Sequence, residues 1–258
     1  MRHGFSYLTL LSVYALTLFG CDSRAATVAA KSDESDQLRF IERVTGDAPQ
    51  DAVLPLVVIL HGRGDVPANF TKRLSGYDSA ARFVYLEAPI DEGKGRGWFT
   101  FDRGPGGWSR TTDKVKRLAE QVSVTTKALI KSRPTRGKPT LTGFSQGAMV
   151  VYAAILAHPD QFGAALPVSG ALFESLLPAN MPARGPSLPP VVAFHGEDDP
   201  VIPPRASQEA VAMLKGYGAK AELRVFPEVP HWIMGEMKSD LLQEIERCTS
   251  RAMTSVPE

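Results

Sequence analysis

One serine stands where a nucleophile could be formed. Ser145 lies in the stretch Gly143-Phe144-Ser145-Gln146-Gly147, preceded by a run typical of a β-strand and followed by a run typical of a helix. The pattern G-x-S-x-G places a serine on a sharp turn between these elements, where glycines avoid a clash. The helix also directs positive partial charge towards its N-terminus, close to the serine. Ser145 is therefore predicted to be a catalytic nucleophile, the alternative being a small residue that only allows the turn.

A nucleophilic serine needs a base and an acid, and both residue types follow it in the chain. Of the five histidines, only His231 comes after both Ser145 and an acidic stretch, residues 197–199. The order serine, acid, histidine is typical of sheet enzymes with a catalytic triad. An isolated histidine beside a tryptophan is more often a packed or surface residue, but position and order favour His231 as the base. Spacing alone does not separate the three acidic residues.

Two backbone N–H groups must also stabilise the oxyanion that forms during acyl transfer. One comes from the residue after the nucleophile, which is Gln146. The other comes from an earlier turn between a strand and a helix, and His61-Gly62-Arg63-Gly64-Asp65 follows such a strand. Arg63 is the predicted second donor. The alternative interpretation of this stretch is a plain glycine-rich turn.

The chain alternates short apolar runs with longer amphipathic ones. Strands are predicted over residues 38–44, 54–60, 82–88, 139–144, 164–169, 190–195 and 221–227, and helices over 67–80, 112–133, 146–158, 205–217 and 237–252. This alternation predicts an α/β fold with a mostly parallel sheet and helices on both faces. Ligands of such sheets bind beyond the carboxyl ends of the strands, where the candidate residues stand.

Composition limits the function. The 258 residues are 43% hydrophobic, with a formal net charge of +1. This predicts one globular domain, over residues 38–258, and disfavours a nucleic-acid binder. We expect a neutral small-molecule or acyl-type substrate and no cofactor. No metal is expected, because the sequence has no cluster of histidines and cysteines with ligand spacing.

The four turns together resemble the phospholipase/carboxylesterase family of α/β-hydrolases, which includes the acyl-protein thioesterases. The resemblance covers residues 50–245 and implies an α/β-hydrolase fold. In that family the acid is the aspartate four positions after the histidine of the motif HG..D..VP, which implies Asp199. It also implies a serine esterase that forms an acyl-enzyme. We expect short or medium acyl esters; the alternatives are an acyl-thioesterase, an aryl esterase of the feruloyl type, and a non-catalytic binding module.

Aromatic residues suggest where the acyl group binds. The glycine-rich loop over residues 91–110 carries Trp98, Phe99, Phe101 and Trp108, and Trp98-Phe99 resembles a family element near the acyl site. These rings are predicted to form a lid or pocket wall, together with Trp232 beside the candidate base. The alternative is that the rings cap the core, which we expect for at least two of the four in the loop.

The N-terminus predicts export from a bacterial cell. Residues 1–20 have the charged start and short apolar core of a signal peptide. The end of this stretch resembles a lipobox, which implies lipid attachment at Cys21, a tether over 21–37 and a periplasmic or membrane-anchored lipoprotein. The membrane would then be reached only through that anchor. The alternative is cleavage near residues 23–26, with Cys21 discarded. In both cases Cys248 has no disulfide partner.

Overall fold

The computed structural model describes residues 27–28, 36–177 and 188–254. The predicted signal peptide, Cys21 and most of the tether lie outside these residues. Two residues of the tether, Thr27–Val28, form a short strand. No helix within the described ranges is long and apolar enough to cross a membrane.

The centre of the domain is a sheet of eight strands. In chain order the strands of the molecule are β1 (Thr27–Val28), β2 (Phe40–Val44), β3 (Leu56–Leu60), β4 (Arg82–Leu86), β5 (Ile90–Glu92), β6 (Gly95–Gly97), β7 (Thr140–Phe144), β8 (Ala164–Val168), β9 (Val191–Gly196) and β10 (Ala221–Phe226). The eight-stranded sheet has the order β1-β2-β4-β3-β7-β8-β9-β10. The pairs β1–β2 and β2–β4 are antiparallel and the others are parallel. The predicted strands and the mostly parallel sheet are confirmed.

Helices cover both faces of this sheet. They are α1 (Pro67–Arg73), α2 (Gly107–Ser132), α3 (Gln146–Ala157), α4 (Arg205–Gly216) and α5 (Gly235–Thr254). Every residue of β3 is buried, with Val58 packing towards α2, α3 and α4 and Ile59 towards α1 and α5. A strand that is buried on both faces needs an unbroken apolar run, because successive side chains point to opposite faces.

The structure differs from the sequence prediction in two loops. The helix predicted over 67–80 ends at Arg73, and Gly76, with φ of 94°, lies in the left-handed region that a helix cannot include. The loop over 91–110 was predicted without regular structure, but it contains part of the antiparallel hairpin formed by β5 and β6. The turn of this hairpin includes Gly93, with φ of 64°.

Candidate active site

Ser145 lies on the turn between β7 and α3, with strained backbone angles. Its φ is 55° and its ψ is −117°, a conformation that costs a residue other than glycine about 1–3 kcal/mol. The Ser145 N–H donates to the carbonyl oxygen of Val168 at 2.9 Å, which holds the turn against β8. A Cβ atom at Gly147 would lie 2.5 Å from the Leu60 carbonyl oxygen. The turn therefore needs glycine at this position to pack against β3.

His231 connects this serine to the acid. It lies in the loop between β10 and α5, and its Nε2 is 2.9 Å from Oγ of Ser145. Its Nδ1 is 2.6 Å from Oδ2 of Asp199. Because a carboxylate only accepts, Nδ1 carries the proton and Nε2 is free to accept from the serine hydroxyl. The imidazole packs against the ring of Phe144, with 4.7 Å between the centroids.

Asp199 differs from the two acidic residues that precede it. Glu197 and Asp198 are exposed, whereas the side chain of Asp199 is completely buried. Its Oδ1 accepts from the backbone N–H groups of Val201 at 2.9 Å and Ile202 at 2.8 Å. Burial raises the pKa of Asp199, but the hydrogen bonds from His231 and the two N–H groups lower it more, and the resulting pKa is below the usual value. The carboxylate is therefore ionised at neutral pH.

The two predicted oxyanion donors stand on turns beside Ser145. Gln146 is the first residue of α3, so its N–H has no carbonyl partner within the helix. No backbone hydrogen bond within the described residues uses the N–H of Arg63. The turn that contains Arg63 is held against β6, because Gly64 N–H donates to the Arg96 carbonyl at 2.8 Å and Arg96 N–H donates to the Asp65 carbonyl at 2.9 Å.

Trp98 and Phe99 lie beneath these turns, each only 1% exposed. The indole Nε1 of Trp98 donates to the His61 carbonyl oxygen at 2.7 Å. The side chain of Gln146 accepts from the Trp98 N–H at 3.1 Å and donates to the Phe99 carbonyl at 2.9 Å. Both rings also line a groove of about 510 Å³ beside α2. They also join the two turns on which the predicted oxyanion donors stand.

The other predicted pocket residues are exposed, and they separate into two places. Trp108 is 70% exposed and Phe101 is 46% exposed, and both contact the ring of Phe173. Trp232 lies apart from them, with its ring 3.6 Å from the Arg73 guanidinium on α1. The sequence interpretation missed Phe173, since it stands alone in the loop after β8 and no motif surrounds it.

Two further histidines, His61 and His195, are buried beside the site. His61 accepts from the Ala88 N–H at 3.2 Å and contacts the Gly62 carbonyl through Nδ1 at 2.7 Å. Burial lowers the pKa of His61, which keeps the ring neutral. His195 lies against Asp199, with 3.2 Å between Nε2 and Oδ2. Within the described ranges, no group of three or more histidine, cysteine, aspartate or glutamate residues could hold a metal ion.

Comparison with known proteins identifies the family of this chain and several relatives. A family model described as Phospholipase/Carboxylesterase matches residues 44–249. Acyl-protein thioesterase 1 of Gibberella zeae is 25% identical over 193 residues, which is 68% of this chain and 82% of the relative. A probable inactive carboxylesterase of Oryza sativa subsp. japonica is 25% identical over 205 residues, 74% of this chain and 82% of the relative.

A solved esterase structure has a similar fold. The crystal structure of esterase PE8 superposes with a TM-score of 0.65 at 25% identity and covers 80% of this chain and 99% of its own. The family model spans the sheet from the last residue of β2 to the last turns of α5. The chain therefore belongs to the phospholipase/carboxylesterase family of α/β-hydrolases.

Proposed function

We propose that this protein is a serine esterase in which Ser145, His231 and Asp199 form the catalytic triad. The observation that carries the proposal is the chain of hydrogen bonds from Oγ of Ser145 through the imidazole to the buried carboxylate, with distances of 2.9 and 2.6 Å. A serine hydroxyl is a weak nucleophile at neutral pH, and a neighbouring base held in the correct tautomer activates it.

The reaction follows from the positions of the protons. Oγ of Ser145 attacks the ester carbonyl carbon while Nε2 of His231 takes the hydroxyl proton, and the carbonyl π electrons move to the oxygen. Asp199 remains ionised and stabilises the imidazolium that forms. The same proton then goes to the leaving alcohol as the ester bond breaks, which leaves an acyl-enzyme. Water, deprotonated by His231, hydrolyses this intermediate and restores the serine.

The negative oxygen of the tetrahedral intermediate accepts from the backbone N–H groups of Arg63 and Gln146. The α3 N-terminus adds positive partial charge at the same point. Loss of one such donor typically costs a barrier increase of about 3 kcal/mol. Backbone donors cannot be removed by side-chain substitution, so their contribution is best tested through the residues that hold the turns.

We propose an ester with a short or medium apolar acyl group as substrate. Phe101, Trp108 and Phe173 form an aromatic cluster that adjoins Phe99, whose carbonyl is bonded to Gln146. Exposed aromatic rings on a loop bonded to Gln146, the residue after the proposed nucleophile, favour an apolar acyl or aryl group. Thioesters and feruloyl-type aryl esters use the same triad, so a panel of oxygen esters, thioesters and aryl esters of matched acyl length distinguishes them. Activity only on long-chain lipids would contradict the proposed acyl length.

A fluorophosphonate probe on the full chain tests the nucleophile. We expect covalent labelling of wild type and no labelling of Ser145→Ala. Ser123→Ala is the matched control, because Ser123 is a buried serine whose hydroxyl bonds Gln161 on the α2 side, and it should label like wild type. Equal labelling of Ser145→Ala and wild type would exclude Ser145.

The same experiment tests a function of another class. One relative is described as a probable inactive carboxylesterase, so a fold that only binds its ligand is the competing proposal. An unlabelled but folded wild-type protein would support that binding module and exclude the esterase. Hydrolysis of any ester in the panel, abolished in Ser145→Ala, would exclude the binding module.

We also propose that the protein is exported and anchored through a lipid on Cys21. The support is the signal-like composition of residues 1–20 and the cysteine that follows them. Metabolic labelling with a fatty acid in a bacterial host should mark wild type and leave Cys21→Ala unmarked. Unlipidated mature protein that begins after residue 21 would instead support ordinary signal cleavage.

A further inference from the structure

A second histidine lies against the carboxylate of the proposed triad. His195, on β9, has a completely buried side chain, and its Nε2 is 3.2 Å from Oδ2 of Asp199. The same nitrogen is 2.8 Å from the Ile202 carbonyl oxygen. On the other side of the ring, Nδ1 is 2.6 Å from Oγ of Ser207 on α4. The mechanism described above does not use this residue.

The partners of His195 determine which nitrogen carries its proton. Nε2 faces a carboxylate oxygen and a carbonyl oxygen, which can only accept, so this nitrogen must be the donor. Burial lowers the pKa of His195, so the ring is neutral and Nδ1 accepts. The Ser207 hydroxyl can supply that hydrogen bond, although the Gly170 carbonyl oxygen, 3.1 Å away, is a second acceptor for its proton.

We propose that His195 is a positioning residue that acts on catalysis through Asp199, in an arrangement that Ser207 completes. The inference rests on the proposed function of the triad. Oδ2 of Asp199 accepts from His231 at 2.6 Å and lies 3.2 Å from Nε2 of His195. The hydrogen bond of that Nε2 goes to the Ile202 carbonyl oxygen at 2.8 Å, which holds the turn that follows Asp199. Oδ1 is held by the backbone of the following turn. The carboxylate is thereby fixed in one rotamer, with its oxygen directed at the base.

This arrangement has an electrostatic consequence. A neutral N–H group 3.2 Å from the carboxylate stabilises its negative charge without adding a charge to the site. Without the N–H of His195, the negative charge of Asp199 acts more strongly on His231 and favours its protonated form. A protonated imidazole cannot act as base. Besides Asp199, the titratable groups that face His195 are His231 from the loop after β10 and, next to Ser207, the phenol of Tyr152 on α3. Burial keeps this phenol neutral by raising its pKa.

Two substitutions at this position separate positioning from packing. His195→Leu fills the space without a donor, whereas His195→Gln can place an amide N–H near the position of Nε2. For ester hydrolysis by the full chain, we expect His195→Leu to lower kcat about 10- to 100-fold, because it removes the polar contact to the carboxylate and the hydrogen bond to the Ile202 carbonyl that holds the turn. KM should stay within about twofold, and the acid limb of the kcat/KM profile should move to higher pH. His195→Gln should recover most of kcat and the wild-type profile.

Ser207→Ala extends the test if His195→Leu does not fold. It leaves the imidazole in place but removes the donor to Nδ1, so we expect a smaller loss of kcat and a shift of the pH profile in the same direction. The matched control is His158→Gln, because His158 lies at the end of α3 near Glu120 and should not alter kcat or the profile. Unchanged pH profiles in both His195→Leu and Ser207→Ala, or a His195→Gln profile that matches His195→Leu, would overturn the proposal.

A spectroscopic readout separates this inference from the proposed activity. The short hydrogen bond between His231 and Asp199 should give a downfield proton resonance, which does not require turnover. We expect this resonance to shift in His195→Leu and to return in His195→Gln. If wild type hydrolyses no ester but the resonance shifts in His195→Leu, the esterase is rejected and the positioning role is supported. If wild type hydrolyses esters but the resonance does not shift in His195→Leu, the esterase is supported and the positioning role is rejected.

Discussion

Two pairs of aromatic residues in one loop have opposite environments. Trp98 and Phe99 are each 1% exposed, whereas Phe101 is 46% and Trp108 is 70% exposed. The first pair directly follows β6, and its backbone is bonded to the side chain of Gln146. The second pair stands on either side of the start of α2, where it contacts Phe173. A few positions therefore separate rings that connect the two turns from rings that are exposed to solvent.

The difference shows how one loop can serve two purposes. The inner pair, Trp98-Phe99, joins the turn after β3 to the turn after β7, and these turns carry the two proposed oxyanion donors. Preorganised donors need rigid support, because a displacement of about 1 Å can remove most of their effect. The side chains of the outer pair, Phe101 and Trp108, contact other aromatic rings, including that of Phe99. None of these ring contacts is with the two turns, so we expect the outer pair to be altered with little effect on them. Stability and kcat should therefore depend on the inner pair, and substrate preference on the outer pair.

Trp98→Ala is expected to have the largest effect. Truncation of a buried tryptophan costs about 3–5 kcal/mol of folding free energy, and here it also leaves the His61 carbonyl without its donor. We expect a lower urea midpoint and a kcat reduced at least about tenfold, because both turns lose their connection. Urea denaturation followed by circular dichroism, with kcat measured on the folded fraction, checks this prediction.

The matched control for that substitution is Trp108→Ala, which removes the same ring from the outer pair. It should change the free energy of unfolding by less than about 1 kcal/mol, as is usual for surface substitutions. Equal destabilisation by the two substitutions would mean that the division of the loop into inner and outer pairs is wrong.

Much of the framework could be predicted from the sequence, because it depends on local patterns. The strands are short apolar runs, and Ser145 and His231 each follow one of them. Asp199 could not be separated from Glu197 and Asp198 by spacing, because its burial depends on how the following turn folds back to donate two N–H groups. Only the family resemblance selected it.

The environments of the aromatic rings could not be predicted in the same way. Trp98 and Trp108 both stand in a glycine-rich stretch without helical or alternating periodicity. Their exposure is decided by the β5–β6 hairpin, which has few strand-forming residues and whose position depends on contacts with the turn after β3. Phe173 comes from another part of the chain, so the outer aromatic cluster exists only after folding.

Gln146→Ala should have the second-largest effect. It leaves the Trp98 N–H and the Phe99 carbonyl without their partner, and each buried unpaired polar group costs about 1–3 kcal/mol. We expect a loss of stability smaller than that of Trp98→Ala, with kcat reduced and KM little changed. Gln161→Ala, which removes hydrogen bonds to Ser123 away from the site, should leave kcat unchanged. A wild-type kcat in Gln146→Ala would show that this link does not position the donors.

Substitution in the outer pair should alter substrate preference. For Trp108→Ala and Phe101→Ala we expect KM for medium-chain esters to rise about 3- to 10-fold, since burying roughly 50 Å² of apolar substrate surface contributes about 1 kcal/mol. Acetate esters have little apolar surface and should show almost no change. The ratio of kcat/KM for a six-carbon ester to that for acetate measures this effect. An unchanged ratio in both variants would exclude the outer pair from the acyl site.

The smallest difference that we expect concerns the pH dependence of stability, and it arises from His61, which packs against the inner pair. The ring of His61 packs against Trp98 with 5.5 Å between centroids, and burial lowers the pKa of His61 below the ordinary histidine value of about 6.5. The unfolded chain therefore binds a proton at a higher pH than the folded chain does. It follows that this histidine's contribution to stability is complete above about pH 6.5 and declines as the pH falls towards its pKa in the folded protein.

Urea midpoints measured between pH 7.5 and 5.5 test this assignment. His61→Asn can retain the hydrogen bond that Nδ1 makes to the Gly62 carbonyl but has no titratable group, so the decline with acidification should be shallower than in wild type. It should not vanish, because the pKa of His195 is also lowered by burial. Trp108→Ala should keep the wild-type slope, since the outer pair does not contact His61. If the change of urea midpoint with pH is the same in His61→Asn as in wild type, the acid sensitivity arises from groups other than His61.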